Sequence, residues 1–221
     1  MKLVFKNMGH ILSFDEGVAV ELVIENRKFF CDLVNSLSLQ TDGAAGDAVL
    51  SLADKPVEFA RHADMTVQFA PFLLNRKTLL TKLQAYLEKK ALMAENYSET
   101  MEILNRTEGY VQHLAEELPF AIDCKKVAIG YLIKALSPEC EESGESTIEK
   151  VFTYMEMVRE LDCERLFIMV NMRTYFSDEE MARFVESVNL HGFQLLLLES
   201  TAFPGLKDVK RYTVDEDLCE F

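Results

Sequence analysis

The sequence predicts an α/β protein whose parallel sheet includes a C-terminal strand–helix–strand unit. Two continuous apolar runs, residues 166–170 and 194–198, have the composition of strands that are buried on both faces of a sheet. Between them, Ser177 and Glu180 have the spacing of a capping box, which begins a helix that Gly192 ends. A strand, a helix and a strand in this order predict parallel strands joined by a right-handed crossover.

The first 70 residues are predicted to be rich in β-structure. The expected elements are a strand around residues 3–5, a β-branched strand at 18–24, a helix from 26 to about 37, a turn at 41–47 and strands near 49–52 and 65–69. Asn26 is a suitable first residue for the helix, because its side chain can accept a hydrogen bond from a free amide of the first turn.

The middle of the chain changes to a helical pattern at residue 75. Leucine, methionine and valine recur at three-, four- and seven-residue intervals without proline, which predicts a helix over about 75–118 with a bend near Gly109. Pro119 ends this helix, and a second helix is predicted over 124–136. A helix after residue 146 returns the chain to the sheet. We therefore expect an α/β head formed by residues 1–74 and 146–221, and a helical leg with a hinge formed by residues 75–145.

The composition is that of an ordinary globular protein with an acidic surplus. The 221 residues are 49% hydrophobic and 27% charged, and 37 Asp or Glu against 23 Lys or Arg give a net charge of -14. This balance argues against a surface coated in basic residues, although a local basic patch is compatible with it. Five dispersed cysteines indicate reduced thiols, and no apolar run approaches the roughly 20 residues that cross a bilayer. We expect a soluble cytoplasmic protein.

The motifs of nucleotide hydrolysis and of common hydrolases are missing from the sequence. A phosphate loop has the pattern GxxxxGK[ST], and no lysine in this chain follows a glycine. The patterns GxGxxG, GxSxG and HExxH are also absent, and the four histidines are isolated from one another. We therefore expect no nucleotide hydrolysis and no bound nucleotide.

Acidic residues cluster in two places in the predicted leg. Glu116, Glu117 and Asp123 lie on either side of Pro119, and the loop that follows contains Glu139, Glu141, Glu142 and Glu145. The simpler interpretation is solvated charge on loops. The alternative is a calcium site, because hard divalent cations take six to eight oxygen ligands and a helix break supplies carboxylates beside free carbonyls. The spacing is not that of an EF-hand.

Basic residues cluster on the two predicted helices of the leg. The first carries Arg76, Lys77, Lys82, Lys89 and Lys90, and the region of the second carries Lys125, Lys126 and Lys134. Lys82 and Lys89 are seven residues apart, so they share one helix face. On charge alone a solvated helix of mixed charge is favoured, since Glu88 and Glu95 are interspersed. The alternative is a stripe that contacts the phosphates of a duplex without reading its bases.

Several segments, taken in order, resemble the small adaptation protein of type II-A CRISPR systems, a non-nuclease family encoded with the effector and the integrase. They are LLTKL and LE at 79–83 and 87–88, LAEEL at 114–118, LIKAL at 132–136, STIEKV at 146–151, LFIMVN at 166–171, SDEE at 177–180, LLLLE at 195–199, FP at 203–204 and DED at 215–217. The resemblance is strong after residue 114 and diffuse before residue 70.

The resemblance implies a fold and a function. It implies a head like that of nucleotide-hydrolysing folds without the phosphate loop, and a helical leg. It further implies that four subunits form a ring, whose lysine-lined hole accepts the ends of double-stranded DNA without sequence preference. Calcium ions near the hinge would stabilise the ring. The family acts in spacer acquisition, in antiviral defence, together with the integrase proteins and the effector nuclease. It has no established catalytic activity, so the resemblance implies that this chain is not an enzyme.

The resemblance also assigns roles to individual residues. Lys134, in the LIKAL segment, is the first candidate for a DNA contact. Further DNA-contact candidates are Lys125, Lys126, Lys82 and Lys89, and the calcium candidates are Glu116, Glu117 and Asp123. A different class of function remains open, in which the chain is a protein–protein adaptor that docks basic partners on its acidic surface without a direct role in DNA binding. A degenerate hydrolase is a third interpretation, against which the missing phosphate loop counts.

Overall fold

The computed structural model describes residues 1–14, 17–142 and 146–221. These residues divide into two compact units, one formed by Met1–Leu74 with Glu142–Phe221 and the other by Asn75–Glu141. We call the first the head unit and the second the leg unit. Glu145, one of the acidic residues singled out in the sequence, lies outside the described residues.

The head unit contains two sheets. Its strands are β1 (Lys2–Phe5), β2 (Ile11–Ser13), β3 (Ala19–Ile24), β4 (Ala48–Leu52), β5 (Lys55–Pro56), β6 (Ala63–Thr66), β7 (Leu166–Val170), β8 (Gln194–Glu199) and β9 (Val209–Val214). Within the described residues, a five-stranded parallel sheet has the order β6–β7–β8–β3–β9, and this confirms the predicted α/β class. Strands β3 and β7 are buried along their whole length, as expected for apolar strands inside a parallel sheet, although β3 also buries the charged Glu21.

A smaller antiparallel sheet covers one side of the head core. It has the order β2–β1–β4–β5, and Leu3 of β1 pairs with Leu12 of β2 and Leu50 of β4. These three leucines are buried and pack in one cluster with Leu22 and Leu196 of the parallel sheet. Burial of a leucine side chain contributes roughly 2 kcal/mol, so this apolar layer is a principal source of stability for the head unit.

The helices begin largely where the sequence places their caps. The head unit has α1 (Arg27–Thr41), α2 (Phe59–His62), α6 (Thr147–Leu161), a 3-10 turn at Met172–Thr174 and α7 (Asp178–Leu190), and the leg unit has α3 (Lys77–Ala91), α4 (Ala94–Leu114) and α5 (Ile129–Leu136). The Asn26 side chain accepts a hydrogen bond of 3.0 Å from the Phe29 amide, which confirms its predicted capping role. Ser177 and Glu180 form the predicted reciprocal capping box of α7.

The prediction of one long helix is wrong, because the helix is interrupted at residues 92–93. The second helix, α4, continues through Gly109, where a bend was predicted. Met93 has an extended backbone, with φ -68° and ψ 153°, and begins a new helix. Side chains of that helix satisfy the last carbonyls of the preceding one: the Thr100 hydroxyl donates to the Ala91 carbonyl at 2.8 Å, and the Asn96 amide donates to the Lys90 carbonyl at 2.9 Å. The break therefore needs neither proline nor glycine.

Other boundaries also differ from the prediction. Helix α4 ends at Leu114, before Pro119, and the second predicted helix begins at Ile129 instead of residue 124. The strand expected at 65–69 is β6, at 63–66, and strand β9 was not predicted. None of the helices in the described part of the chain is long and apolar enough to span a bilayer.

Candidate nucleic-acid interface

Helix α5 runs antiparallel to α3, as two contacts within the leg unit show. Near its start, a Cβ atom added to Gly130 would lie 2.7 Å from the carboxyl group of Glu88, so the first turn of α5 packs directly on α3. Beyond its end, the Asn75 side chain donates to the Cys140 carbonyl at 3.0 Å and accepts from the Cys140 amide at 2.9 Å. Residue 130 is thus paired with the end of α3 and residue 140 with its beginning.

Three of the predicted lysines belong to these two packed helices, Lys82 and Lys89 to α3 and Lys134 to α5. Along α3, Lys134 falls between the level of the Glu88 contact and that of the Asn75 contact, and Lys82 lies in the same stretch. Lys89 lies two turns further along the same face of α3. Lys89 and Lys134 are exposed and Lys82 is half-buried. We call the surface of this helix pair, which includes Lys82, Lys89 and Lys134, the α3–α5 surface.

The other two predicted lysines lie on an irregular segment before α5. Lys125 and Lys126 are exposed and border a groove of about 480 Å³ along α4. The apolar lining of this groove is formed by Met101, Leu104, Val111, Val127 and Leu132. The structure therefore separates the five predicted lysines into a set of three on the α3–α5 surface and a pair at the α4 groove.

Charge is distributed unevenly along the chain. The leg unit contains nine Lys or Arg and ten Asp or Glu, so it carries a net charge of -1, and the remaining -13 belongs to the rest of the chain. Within the leg unit, α3 has four lysines and one glutamate, whereas α4 has four glutamates and one arginine. Helix α5 has one lysine and no carboxylate. The α3–α5 surface is therefore a basic region of an acidic protein.

The predicted calcium ligands do not come together in the chain. Glu116, Glu117 and Asp123 are all exposed, and Glu116 pairs with His113, whose Nδ1 lies 3.3 Å from its carboxylate. Among the described residues, no three His, Cys, Asp or Glu side chains are placed to hold a metal ion. Calcium takes six to eight oxygen ligands, and these three carboxylates do not supply them as one cluster. In the second acidic cluster, Glu142 instead pairs with Lys150 at 2.8 Å.

The connection from β3 to α1 is too short for the phosphate loop that the sequence also lacks. Only Glu25 and Asn26 separate β3 from α1, and Asn26 is used to cap the helix. Within the parallel sheet, Glu21, the third residue of β3, accepts hydrogen bonds from two arginines, Arg173 at 2.8 Å and Arg211 of β9. Arg173 also donates to Asp178 at 2.8 Å. Glu21, Arg173, Arg211 and Asp178 therefore form an ion-pair network within the head unit.

Glu199, at the end of β8, is the most perturbed carboxyl group of this network. It is 0% exposed, and its Oε1 accepts from the Arg173 amide at 3.1 Å. Its Oε2 has no hydrogen-bond partner among the described residues. Burial, together with the nearby charge of Glu21, raises the pKa of Glu199 to about 7. The sequence analysis missed this network, although charged residues inside apolar strand segments were a signal for it.

Together, these features define an α/β protein with an inserted helical unit that carries a basic two-helix surface. The family model of the CRISPR-associated protein Cas_Csn2 matches residues 40–218. The chain therefore belongs to this family, which confirms the resemblance seen in the sequence.

Individual relatives are similar along most of the chain. The CRISPR-associated protein Csn2 of Enterococcus faecalis is 25% identical over 213 residues, which cover 92% of this chain and 93% of the relative. That of Streptococcus agalactiae is 24% identical over 132 residues, 57% of this chain and 58% of the relative. The crystal structure of Stu0660 of Streptococcus thermophilus has a similar fold, with a TM-score of 0.54 at 14% identity, over 93% of this chain and 69% of that one.

Proposed function

We propose that the chain binds the ends of double-stranded DNA without sequence preference, as a homotetrameric ring, during spacer acquisition in CRISPR adaptation. The observation that carries this proposal is the α3–α5 surface, a basic region in a chain with a net charge of -14. Family membership supports the biological setting. The integrase proteins and the effector nuclease are the proposed partners, and the proposed role requires no catalytic activity.

Lysine contacts account for binding that does not depend on sequence. A lysine ammonium is a compact point charge that pairs with a phosphate oxygen but distinguishes no base. Each neutralised phosphate releases counterions, so the logarithm of the affinity falls with the logarithm of salt concentration by about 0.9 per contact on B-form DNA. Lys82, Lys89 and Lys134 from each of four subunits would make this dependence steep. Lys125 and Lys126 are proposed as additional contacts.

The acidic remainder of the chain restricts where DNA can bind. A net charge of -13 outside the leg unit repels the phosphate backbone, and this repulsion is effective over about 8–10 Å at moderate salt. Duplex DNA is therefore favoured only where lysines are concentrated. This distribution favours a defined binding position over general adhesion to DNA.

Calcium binding by Glu116, Glu117 and Asp123 stays a separate proposal. Among the described residues these carboxylates form no cluster of three, so a calcium ion would need backbone carbonyls or water as further ligands. We therefore assign calcium no part in the DNA contacts described above.

Binding of DNA ends is tested by a gel shift that compares a linear duplex with a covalently closed duplex of the same sequence. We expect the linear duplex to bind and the closed duplex to bind much more weakly, because a closed molecule has no end to enter a ring. Equal binding of the two forms would contradict entry from the end. Parallel lanes with calcium and with a chelator test the calcium proposal separately.

A protein–protein adaptor is a second candidate function, favoured by the net charge of -13 outside the leg unit. A surface with this negative charge attracts basic partners by long-range electrostatics. The two candidates are distinguished by co-purification with the basic integrase after nuclease treatment. Retention of the integrase, combined with no binding of purified DNA at any salt concentration, would favour the adaptor.

A further inference from the structure

The outward face of α5 combines a lysine with an exposed tyrosine. Ile129, Gly130, Leu132 and Ile133 are half-buried, with Gly130 packed on α3 and Leu132 lining the α4 groove, whereas residues 131 and 134–136 are exposed. Tyr131 is 72% exposed, an unusually open position for a large aromatic side chain in a helix. It precedes Lys134 by three residues, so the two side chains are neighbours on the helix surface.

The chemistry of this face suits a phosphate backbone. Tyrosine offers a neutral O–H donor on a stiff amphipathic ring, and α5 contains no carboxylate that would compete for the donor or repel a phosphate. The structure gives the Tyr131 hydroxyl no hydrogen bond to any described residue, in contrast to Tyr154, whose hydroxyl donates to Asp64 at 2.8 Å. A donor beside a lysine is a recurrent arrangement for holding a duplex by its phosphates.

We propose that the Tyr131 hydroxyl donates a hydrogen bond to a DNA phosphate beside the phosphate that Lys134 contacts, and thereby fixes the position of the backbone on the α3–α5 surface. This inference rests on the proposed function. Lysine attracts the backbone but constrains its position weakly, because its flexible stem and compact charge accept many geometries. A hydroxyl on a rigid ring requires one geometry, so Tyr131 is a positioning residue for the duplex.

The test compares Tyr131→Phe, Lys134→Gln and the wild type in DNA binding over a range of salt concentrations. Removal of the hydroxyl should weaken binding about tenfold or more at every salt concentration, because it removes a hydrogen bond to a charged group but no charge. The plot of affinity against salt should therefore shift without a change in slope. Lys134→Gln should instead reduce the slope by about 0.9 for each phosphate that the lysine neutralises in the wild type.

Tyr110→Phe is the matched control. Tyr110 is 62% exposed in the same unit but belongs to α4, which has four glutamates, and its hydroxyl should contribute nothing to DNA binding. The mass of each assembly in solution is measured first, because a Tyr131→Phe variant that no longer assembles would show a packing role and overturn the inference.

The remaining outcomes are equally decisive. Wild-type affinity of Tyr131→Phe, or an equal weakening in Tyr110→Phe, would refute the Tyr131 contact while leaving the proposed function intact. Failure of the wild type to bind any duplex would refute the proposed function itself. Weakened binding of Tyr131→Phe with an unchanged slope and unchanged assembly would support the inference.

Discussion

The buried carboxyl group of Glu199 should make the head unit less stable as the pH rises through neutrality. Glu199 is 0% exposed, accepts one hydrogen bond from the Arg173 amide, and lies near the charge of Glu21. Burial penalises the ionised form most strongly, and the repulsion from Glu21 acts in the same direction. The protonated carboxyl group is therefore the form that the folded protein favours.

The size and sign of the effect follow from linkage between protonation and folding. The pKa of Glu199 rises from 4.5 to about 7 on folding, which corresponds to roughly 3 kcal/mol of differential interaction. Because the folded-state pKa is the higher one, this contribution is fully present below pH 4.5 and is lost as the pH rises through 7. For Glu199 alone, stability should thus decrease between mildly acidic and mildly basic solution.

Glu199→Gln isolates this contribution, because glutamine imitates the protonated carboxyl group and keeps an acceptor for the Arg173 amide. Urea unfolding of the wild type and the variant is followed at about pH 5 and pH 8.5. Circular dichroism is a suitable signal because the chain has no tryptophan. We expect similar stability at pH 5, and a variant more stable than the wild type by up to roughly 3 kcal/mol at pH 8.5.

A charge control completes this experiment. Glu186→Gln removes a carboxylate from the exposed side of α7, so its effect reports the removal of one surface charge. A difference between Glu199→Gln and the wild type that is the same at both pH values would refute the reasoning. The same conclusion would follow if Glu186→Gln reproduced the pH-dependent gain.

Two further predictions concern packing. Gly46→Ala should destabilise the head unit by about 2 kcal/mol in urea unfolding. The added Cβ atom would lie 2.2 Å from the buried Gln40 side chain and disturb its hydrogen bonds. Gly109→Ala is the control and should be neutral or stabilising, because its added Cβ atom meets no atom within 4 Å. Asn75→Ala should lower the protection of α5 amides from hydrogen exchange and weaken DNA binding, because Cys140 loses both of its hydrogen bonds to Asn75. Equal effects of the two glycine variants, or unchanged α5 protection, would contradict the respective prediction.

The parts of the fold that the sequence predicts well are those determined by local chemistry. Strand β7 was predicted at its observed bounds, because an uninterrupted apolar run of that length is stable only inside a parallel sheet. The α6 and α7 starts were predicted because Ser146 and Ser177 are each followed, three residues later, by a glutamate that completes a capping box. In these cases the determining residues lie within a few positions of the element.

The elements that were missed depend on distant residues. Strand β9 contains Lys210 and Arg211, and it reads as polar sequence until Glu21, almost 200 residues away, supplies the partner of Arg211. The break before α4 depends on side chains that lie after it, of which Thr100 is one. Neither signal can be found by hydrophobic periodicity, which treats each segment by itself.

The candidate site shows the same division. The sequence identifies the lysines, and their family resemblance assigns them a role, but their arrangement depends on the antiparallel packing of α5 on α3. That packing rests on Gly130 against Glu88 and on Asn75 with Cys140, contacts between residues that are 42 and 65 positions apart. Tyr131 was not singled out, because an aromatic residue in an apolar helix is more often part of a core than of a surface.

The head and leg units differ in how their charges are arranged, and this difference bears on the proposed binding of DNA by a parallel α/β fold whose sequence lacks a phosphate loop. Inside the head unit, the Arg173 guanidinium is already engaged by the carboxylates of Glu21 and Asp178, so its charge is not available to a phosphate group. The lysines of the α3–α5 surface offer the opposite environment, with little competing carboxylate. If the proposed function is correct, adding positive charge to the head unit should increase DNA binding to covalently closed duplexes more than to linear ones, because it removes the repulsion that confines binding to the leg unit.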